Sequence, residues 1–389
     1  MKRWLWVALA FATLIKLYLA LYTHGSLDVA GFRDHLDKIH ELGVGAYRVR
    51  GAFDNPFNSP PPMIHVIKFW GWLSQFAPFG FWLRLPGILA DICSFFLVSR
   101  LLAKLWPDRS HFWALLGMIL CPTAILISGY HGNTDSVMIF LVLLSIYFNE
   151  KPWAGLIFGL ALCVKVLPLA FAPAIIFCLP WKKSFRFFSL AAATFILCSM
   201  PYLAQDPSAV GSTVFGYSSI YGEWGFTQLA TLFFPDPPSY LHGAFDVQGS
   251  HLIFAQILKI VLMGAIIFTS FRFRKNLYLA CGIITGLLLF LAPGFGTQYL
   301  VWLVPFVPAL GLRAMPYYVT SGLYTFIFYS YTFIFYSCIG LFLSLHPAIF
   351  VLFALACWVS ILLTIVRYYH LLQEGLTLAD GETEQNASR

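Results

Sequence analysis

The chain has 389 residues, and only 11% of them are charged, against about 25% in an average soluble domain. Hydrophobic residues make up 59% and aromatic residues 18%, which is more apolar surface than the core of one globular chain hides from water. A soluble fold is therefore excluded. The formal net charge of +7 does not indicate nucleic-acid binding either, because the basic residues are dispersed along the chain rather than clustered.

A transmembrane helix needs about 20 mostly apolar residues, and fewer where the helices of a bundle break or re-enter. The sequence holds about twelve such segments, which predicts an all-α integral membrane protein. The predicted spans are 4–22, 82–103, 112–129, 135–149, 153–168, 170–181, 187–204, 252–270, 277–292, 299–311, 316–341 and 348–366. All eight cysteines lie inside these spans without a CxxC pair, so we interpret them as small buried hydrophobic residues rather than as zinc ligands or disulfides.

The basic residues predict the orientation, because Lys and Arg concentrate in short cytoplasmic loops. Short basic loops occur at every second connection between the predicted spans. This pattern places both termini in the cytoplasm and the long loops 23–81 and 205–251 outside. Residues 1–370 are then one transmembrane domain, and the polar, acidic residues 371–389 are a disordered cytoplasmic tail. We expect a multi-pass protein of a bacterial inner membrane or an equivalent bilayer.

The first external loop divides into two parts. Residues 23–55 are polar, whereas residues 63–72 are amphipathic and follow the sequence Asn58-Ser59-Pro60-Pro61-Pro62. Proline is favoured at a helix start, and Lys68, Trp70 and Trp72 suit the level of the lipid headgroups. This pattern predicts a juxtamembrane interfacial helix on the outer leaflet.

Polar residues outside the basic loops gather at the predicted outer ends of helices. They are Asp28, residues 130–135 (Tyr-His-Gly-Asn-Thr-Asp), Lys165 and residues 293–299 (Pro-Gly-Phe-Gly-Thr-Gln-Tyr). The predicted topology brings all four groups to one membrane face, as an interfacial active site requires. In the second external loop, Glu223 and Trp224 add an acid beside an aromatic ring that is able to stack on a sugar.

Each of these residues also has an interpretation without function. Asp28 has the position of a general base, but it is also one of several acids of the loop, and Asp34 and Asp37 compete with it. Asp135, with His131 and Asn133 nearby, either contacts a substrate or caps the following helix. For the intramembrane residues Lys16 and Lys259 we favour structural pairing, with Asp91 available to either.

Lys165 places an ammonium group in an apolar segment, where an unpaired charge is costly. Pro168 indicates that the helix ends nearby, so Lys165 either snorkels to the headgroups or pairs with a lipid phosphate. Tyr299 and Gln298 follow a turn with two glycines and supply a phenol and an amide at the start of a segment.

Five motifs together resemble the GT-C superfamily of multispanning glycosyltransferases. They are the acid after the first span, Asp28; Asn58-Ser59-Pro60-Pro61-Pro62; Gly132-Asn133-Thr134-Asp135; Lys165-Val166-Leu167-Pro168; and Gln298-Tyr299-Leu300-Val301-Trp302. More narrowly, the chain is similar to bacterial polyprenyl-phosphate-mannose-dependent transferases and to the eukaryotic enzymes that build glycolipid anchors.

The resemblance implies an inverting transfer of a sugar, by family prevalence mannose, from a polyprenyl-phosphate donor to a lipid, glycan or protein hydroxyl outside the cytoplasm. Asp28 would be the catalytic base, with Asp34 as the alternative. The donor phosphate would contact Lys165, Gln298 and Tyr299. The remaining candidates would bind substrate: His131, Asn133, Asp135, Glu223 and Trp224.

The first loop lacks the tight Asp-x-Asp of the superfamily, and Asp34-x-x-Asp37 is the nearest substitute. A divalent cation, Mg or Mn, is therefore left open as a cofactor, and no metal ligand is assigned. The main alternative function is a secondary transporter or lipid-linked sugar flippase, although such proteins usually show internal repeats and polar groups at the bilayer midplane. A noncatalytic accessory subunit of the same fold is a third alternative.

Overall fold

The structure of the chain, a computed structural model, describes residues 3–49, 57–216, 219–234, 247–336 and 347–387. Within these ranges the fold is built from α-helices and shorter helical turns. The α-helices are α1 Arg3–Tyr22, α2 Leu27–Leu42, α3 Met63–Leu73, α4 Phe79–Leu105, α5 Phe112–Leu120, α6 Pro122–Leu126, α7 Asp135–Tyr147, α8 Ala154–Val164, α9 Ala172–Cys178, α10 Trp181–Leu203, α11 Pro207–Gly216, α12 Gly225–Phe233, α13 Gly249–Arg272, α14 Leu277–Leu291, α15 Met315–Tyr336 and α16 Pro347–Ala387.

Six stretches of helix in the described residues are long and apolar enough to cross a membrane. They are Arg3–Tyr22, Phe79–Leu105, Phe112–His131, Trp181–Leu203, Gly249–Arg272 and Val351–Gln373. Four shorter apolar helices lie between them in the chain: Asp135–Tyr147, Ala154–Val164, Leu167–Cys178 and Leu277–Leu291. The all-α membrane fold is thus confirmed, whereas the predicted count of twelve spans is not.

The predicted span 299–311 is not an α-helix. It consists of two 3-10 helices, Thr297–Trp302 and Val307–Ala314, joined by a short turn. Pro305 and Pro308 cannot donate the backbone hydrogen bonds of a continuous α-helix, and Gly311 has a positive φ of 61°. Irregular backbone is tolerated at membrane depth when protein surrounds it, and Leu300, Leu303 and Phe306 are fully buried.

Many large hydrophobic side chains that the bundle leaves exposed lie on its long helices. On α13 these include Ile253, Ile257, Ile260, Val261, Met263, Ile267 and Phe268. Such a surface is stable only against lipid. The main core lies on the other side of these helices and includes α14, the two 3-10 helices and the inner faces of α4 and α7.

A second, smaller core lies beneath α2, α3 and α11. α3 is a helix where the sequence predicts one, with Ile64 and Ile67 buried against this core and Phe69 and Trp72 exposed on the opposite face. Trp70, which the sequence places at the headgroup level, is instead buried in this core; the position of α3 at the outer leaflet stays a prediction. An Arg48–Asp206 ion pair at 2.5 Å joins the segments 23–81 and 205–251. The described residues 23–49 of the first of these segments therefore pack together with α3.

Two expectations for charged segments meet different outcomes. Lys16 pairs with Asp91 at 2.5 Å, with side chains 6% and 15% exposed, which confirms the structural interpretation of that lysine. Structural pairing is wrong for Lys259 within the described residues, because Asp91 already pairs with Lys16 and no ion pair there includes Lys259.

The backbone of α16 is helical through Ala387, whereas the composition predicts disorder from residue 371. The division of the chain into a domain and a tail stays a prediction.

Candidate active site

Asp28 lies in the first turn of α2, in a part of the chain where the sequence predicts an irregular loop. Ser26 is the N-cap of this helix and accepts a hydrogen bond from the Asp28 backbone N–H at 3.2 Å. The Ser26 hydroxyl also donates to the carbonyl of His131 at 2.9 Å. One serine therefore caps α2 and ties it to the segment that carries His131 and Asn133.

The segment Ile127–His131 is a π-helical turn that ends at Gly132, whose φ is 79°. This left-handed conformation suits glycine, and a Cβ there would approach Val29 within 2.7 Å. The turn directs His131 and Asn133 towards Asp28. Asn133 Nδ2 donates to Asp28 Oδ2 at 2.7 Å, and His131 Nε2 lies 3.0 Å from the same oxygen.

These partners determine the charge state of Asp28. Burial raises the pKa of Asp28, but the neighbouring His131, Lys165 and Asn133 outweigh burial and hold that pKa below its usual range. The carboxylate is still 34% exposed, so it is both ionised and accessible. That combination is what a general base needs before it meets a hydroxyl.

Arg84 of α4 fixes the end of α1, just before Asp28. Its side chain is completely buried, and Nη1 donates to the carbonyls of Leu19, Ala20 and Thr23 at 3.2, 3.0 and 3.1 Å. These carbonyls belong to the last turn of α1 or directly follow it, where few backbone N–H groups remain to pair with them; the Leu19 carbonyl also accepts from the Thr23 backbone N–H at 3.1 Å. Arg84 therefore holds the chain that leads into α2.

Lys165 lies directly after the last residue of α8, in an extended conformation, as Pro168 leads one to expect. Its Nζ donates to Asp135 Oδ2 at 2.7 Å, and Trp302 Nε1 donates to Asp135 Oδ1 at 2.6 Å. Asp135 is completely buried, whereas the Lys165 side chain is 25% exposed. Asp135 thus positions Lys165 from behind, while the ammonium group faces open space.

Two aromatic rings complete this wall. Tyr299 stacks on Trp302 with ring centroids 4.1 Å apart and planes 22° apart, and Lys165 Nζ lies 5.8 Å from the Tyr299 ring centroid. The loop before Tyr299 is held by hydrogen bonds with Ser219 and Ile220 of the segment 205–251. Ser219 donates to the Phe295 carbonyl at 2.8 Å, and Phe295 N–H donates to the Ile220 carbonyl at 3.0 Å.

Both walls face one cavity of about 400 Å³. Five of the predicted site residues line it: Asp28, Asn133, Lys165, Gln298 and Tyr299. His131 and Asp135 do not line the cavity, and each instead contacts a residue that does. The structure therefore joins four sequence segments that are far apart in the chain.

Three predicted site residues lie elsewhere. Asp34 pairs with Lys38 at 2.9 Å and does not line the cavity, which leaves Asp28 as the candidate base. Trp224 is only 2% exposed, stacks on Phe295 at 4.0 Å and donates to the Leu289 carbonyl, so it has no face left for a sugar. Its neighbour Glu223 does not line the cavity either. Burial raises the pKa of Glu223 to about 6.

Two cavity residues with titratable side chains, Lys259 and His35, were not predicted as site residues. Lys259 is an exposed lysine near the middle of α13 that lines the cavity. The sequence indicated it as a charged residue in an apolar span, and Asp91, the acid available to it, pairs with Lys16 instead. His35 lies seven residues after Asp28, so both project from one side of α2. The spacing of Val29, Phe32, Leu36 and Ile39 indicated this helix, and the polarity of the segment concealed it.

A divalent cation does not fit the described side chains as they stand. No group of three or more His, Cys, Asp or Glu side chains in the described ranges is placed to hold a metal ion. Asp28 Oδ2 faces an amide and an imidazole, and the neighbouring charges of the cavity are ammonium groups.

The arrangement is thus an ionised base at one wall and two ammonium groups, from Lys165 and Lys259, lining the same cavity. It is suited to a reaction in which a hydroxyl loses a proton while an anionic group departs.

Comparisons with known proteins concern the family and the fold. The model of glycosyltransferase family 87 matches residues 57–294, which is more than half of the chain and includes Asn133 and Lys165 but not Asp28. The fold is similar to the crystal structure of ArnT from Cupriavidus metallidurans bound to undecaprenyl phosphate, with a TM-score of 0.51, 12% identity, and coverage of 95% of this chain and 77% of that chain. A comparison with curated proteins gives no significant match. The expected GT-C membrane fold is thereby confirmed.

Proposed function

We propose, from the premise that the chain belongs to glycosyltransferase family 87, that it transfers a sugar from a polyprenyl-phosphate donor to a hydroxyl group at the extracytoplasmic face of the membrane. The observation that carries this proposal is that the ionised Asp28 and the ammonium of Lys165 line the same cavity. The lipid-bound state of ArnT supports the class of donor, since the two chains share a fold.

Asp28 is the proposed general base. Asn133 and His131 both approach Oδ2, so we assign Oδ1 to the acceptor hydroxyl. As the hydroxyl oxygen forms its bond to the anomeric carbon, its proton passes to Asp28 and the bond from the anomeric carbon to the phosphate oxygen breaks. Attack on the face opposite the phosphate gives inversion.

Lys165 and Lys259 are the proposed partners of the donor phosphate. The charge of Lys165 is matched by Asp135, so Lys259 is the lining cation without an acidic partner among the described residues. An ammonium in an apolar helix is costly until an anion reaches it. We therefore assign donor affinity chiefly to Lys259, and stabilisation of the departing phosphate to Lys165 with Gln298 and Tyr299.

The sugar is proposed to be mannose, on the resemblance of the motifs alone, and the acceptor to be a lipid, glycan or protein hydroxyl. Both termini are proposed to be cytoplasmic, so that the cavity opens on the other side. A divalent cation is not needed in this mechanism, because the two lysines supply the positive charge near the phosphate.

The experiment that tests the proposal uses the full chain in lipid nanodiscs, radiolabelled polyprenyl-phosphate mannose and a bacterial membrane-lipid extract as acceptor. Asp28→Asn is expected to reduce transfer by about 10²- to 10⁴-fold, the usual contribution of a general base. Asp37→Asn is the matched control, because Asp37 is an exposed acid of the same helix that does not line the cavity. Undiminished transfer by Asp28→Asn would remove Asp28 as the base.

A further inference from the structure

The residues with which α2 lines the cavity differ in chemistry from Lys165 and Lys259, which line the same cavity. Asp28, Gly31, Phe32 and His35 of α2 line it, at the spacing of one helical face. Asn58 and Ser59 line the same cavity and are fixed from behind, since Tyr47 donates to the Ser59 carbonyl at 2.8 Å. Apart from Asp28, these side chains are uncharged or, as with His35, titratable.

His35 is held in place by two aromatic rings. Its ring centroid lies 5.3 Å from that of Phe57 and 6.4 Å from that of Phe32, with interplanar angles of 60° and 89°. Burial lowers the pKa of His35 to about 4 despite the nearby acids Asp34 and Asp28. The imidazole is therefore neutral near pH 7 and presents one donor and one acceptor.

The same wall leaves open space. A Cβ built on Gly31 would meet no heavy atom within 4 Å, so α2 has a gap between Asp28 and His35 on the side that lines the cavity. Helix geometry separates these two residues by about 10 Å along the axis. A ligand that fills the gap would therefore be placed directly beside the proposed base.

We propose that this part of the lining, formed by Asp28, Gly31, Phe32, His35, Asn58 and Ser59, is the acceptor subsite and that it takes an uncharged glycan hydroxyl. The assignment rests on the proposed function, which assigns the donor phosphate to Lys165 and Lys259. A neutral imidazole and an amide match sugar hydroxyls as both donors and acceptors, and an aromatic ring offers an apolar surface for a sugar ring. The ionised Asp28 within this set disfavours a second anionic group, such as a phosphate-bearing acceptor, beside it.

The test is to fill the gap from the protein side. Gly31→Leu places a side chain into the open space, and replacing a helical glycine favours the helix by up to about 1 kcal/mol, so folding is not endangered. Gly264→Leu is the matched control, because Gly264 is a helical glycine of α13 whose Cβ would also meet nothing within 4 Å and which does not line the cavity.

Binding is measured by saturation-transfer NMR on the full chain in nanodiscs, with neutral methyl hexosides and methyl disaccharides as probes. We expect wild type and Gly264→Leu to give a signal, Gly31→Leu to lose it, and His35→Phe to weaken binding about five- to tenfold through the loss of hydrogen bonds. Excess polyprenyl phosphate should leave the wild-type signal in place.

Three results would overturn the inference. They are the absence of a signal from wild type, a signal that survives in Gly31→Leu, and a signal that polyprenyl phosphate displaces. The last of these would mean that the glycan binds where the donor phosphate binds. Polyprenyl phosphate binding is measured on the same samples. Its absence in wild type would count against the proposed function, whereas loss of glycan binding in Gly31→Leu with polyprenyl phosphate binding retained would support the subsite.

Discussion

Asp135 offers the sharpest test of how the cavity positions its cation. The side chain is completely buried and accepts two hydrogen bonds, from Lys165 at 2.7 Å and from Trp302 at 2.6 Å. In Asp135→Asn the amide oxygen still accepts from Trp302, but the amide nitrogen opposes the Lys165 ammonium, donor against donor. The substitution therefore removes the interaction with Lys165 while it preserves the shape of the residue.

A hydrogen bond to a charged group contributes about 1.5–3 kcal/mol. If that loss falls on the departure of the phosphate, turnover decreases about 10- to 100-fold. The donor KM should change less, because Lys165 is 25% exposed and stays able to reach the donor phosphate from a less favourable position. The assay is steady-state transfer from radiolabelled polyprenyl-phosphate sugar in nanodiscs, with kcat and KM determined separately.

Asp91→Asn is the matched control for this experiment. It breaks the Lys16–Asp91 pair, which is as short at 2.5 Å and also largely buried, but which does not line the cavity of about 400 Å³. It should lower thermal stability and leave kcat within about twofold of wild type. The reasoning is refuted if Asp135→Asn keeps wild-type turnover, or if Asp91→Asn loses as much turnover as Asp135→Asn.

Three further predictions concern charge. Lys259→Gln should raise the donor KM about tenfold with a smaller effect on kcat, and Lys259→Arg should restore it; an unchanged KM would contradict the assignment. Because the pKa of Asp28 is lowered, the transfer rate should not fall through loss of the base until the pH drops below about 4, as a pH profile would show. The pKa of Glu223 is raised by burial to about 6, so the protonated Glu223 carboxyl adds to the free energy of unfolding below the unfolded pKa near 4.5, and this stabilisation is lost as the pH rises through 6. Glu223→Gln should abolish this pH-dependent change of about 2 kcal/mol in the free energy of unfolding. The measurement is the melting temperature, which in Glu223→Gln should no longer fall between pH 5 and 7.

The sequence predicted the fold class well because a bilayer imposes few alternatives. Long apolar runs are read directly as helices, and α1, α4 and α13 lie close to their predicted bounds. The predicted span 299–311 is wrong as an α-helix because Pro305 and Pro308 interrupt the apolar run, and hydropathy does not distinguish an α-helix from buried 3-10 turns.

For the candidate site, the sequence grouped several cavity residues but could not show their contacts. Sidedness brought Asp28, Asn133 and Lys165 together, and the structure gives them a common cavity. Hydropathy could not show that Asp135 is buried behind Lys165, or that Trp224 is used up in a stack on Phe295, because both depend on packing between segments far apart in the chain. Residues 337–346, which contain the end of the predicted span 316–341, lie outside the described residues.

The most direct test of the central claim is a cryo-EM map of the full chain in nanodiscs with polyprenyl phosphate. We predict that the phosphate lies within hydrogen-bond distance of Lys165 and Lys259 and that the Asp28 carboxylate faces it across the cavity. A phosphate bound elsewhere, or bound with Asp28 turned away from the cavity, would contradict it.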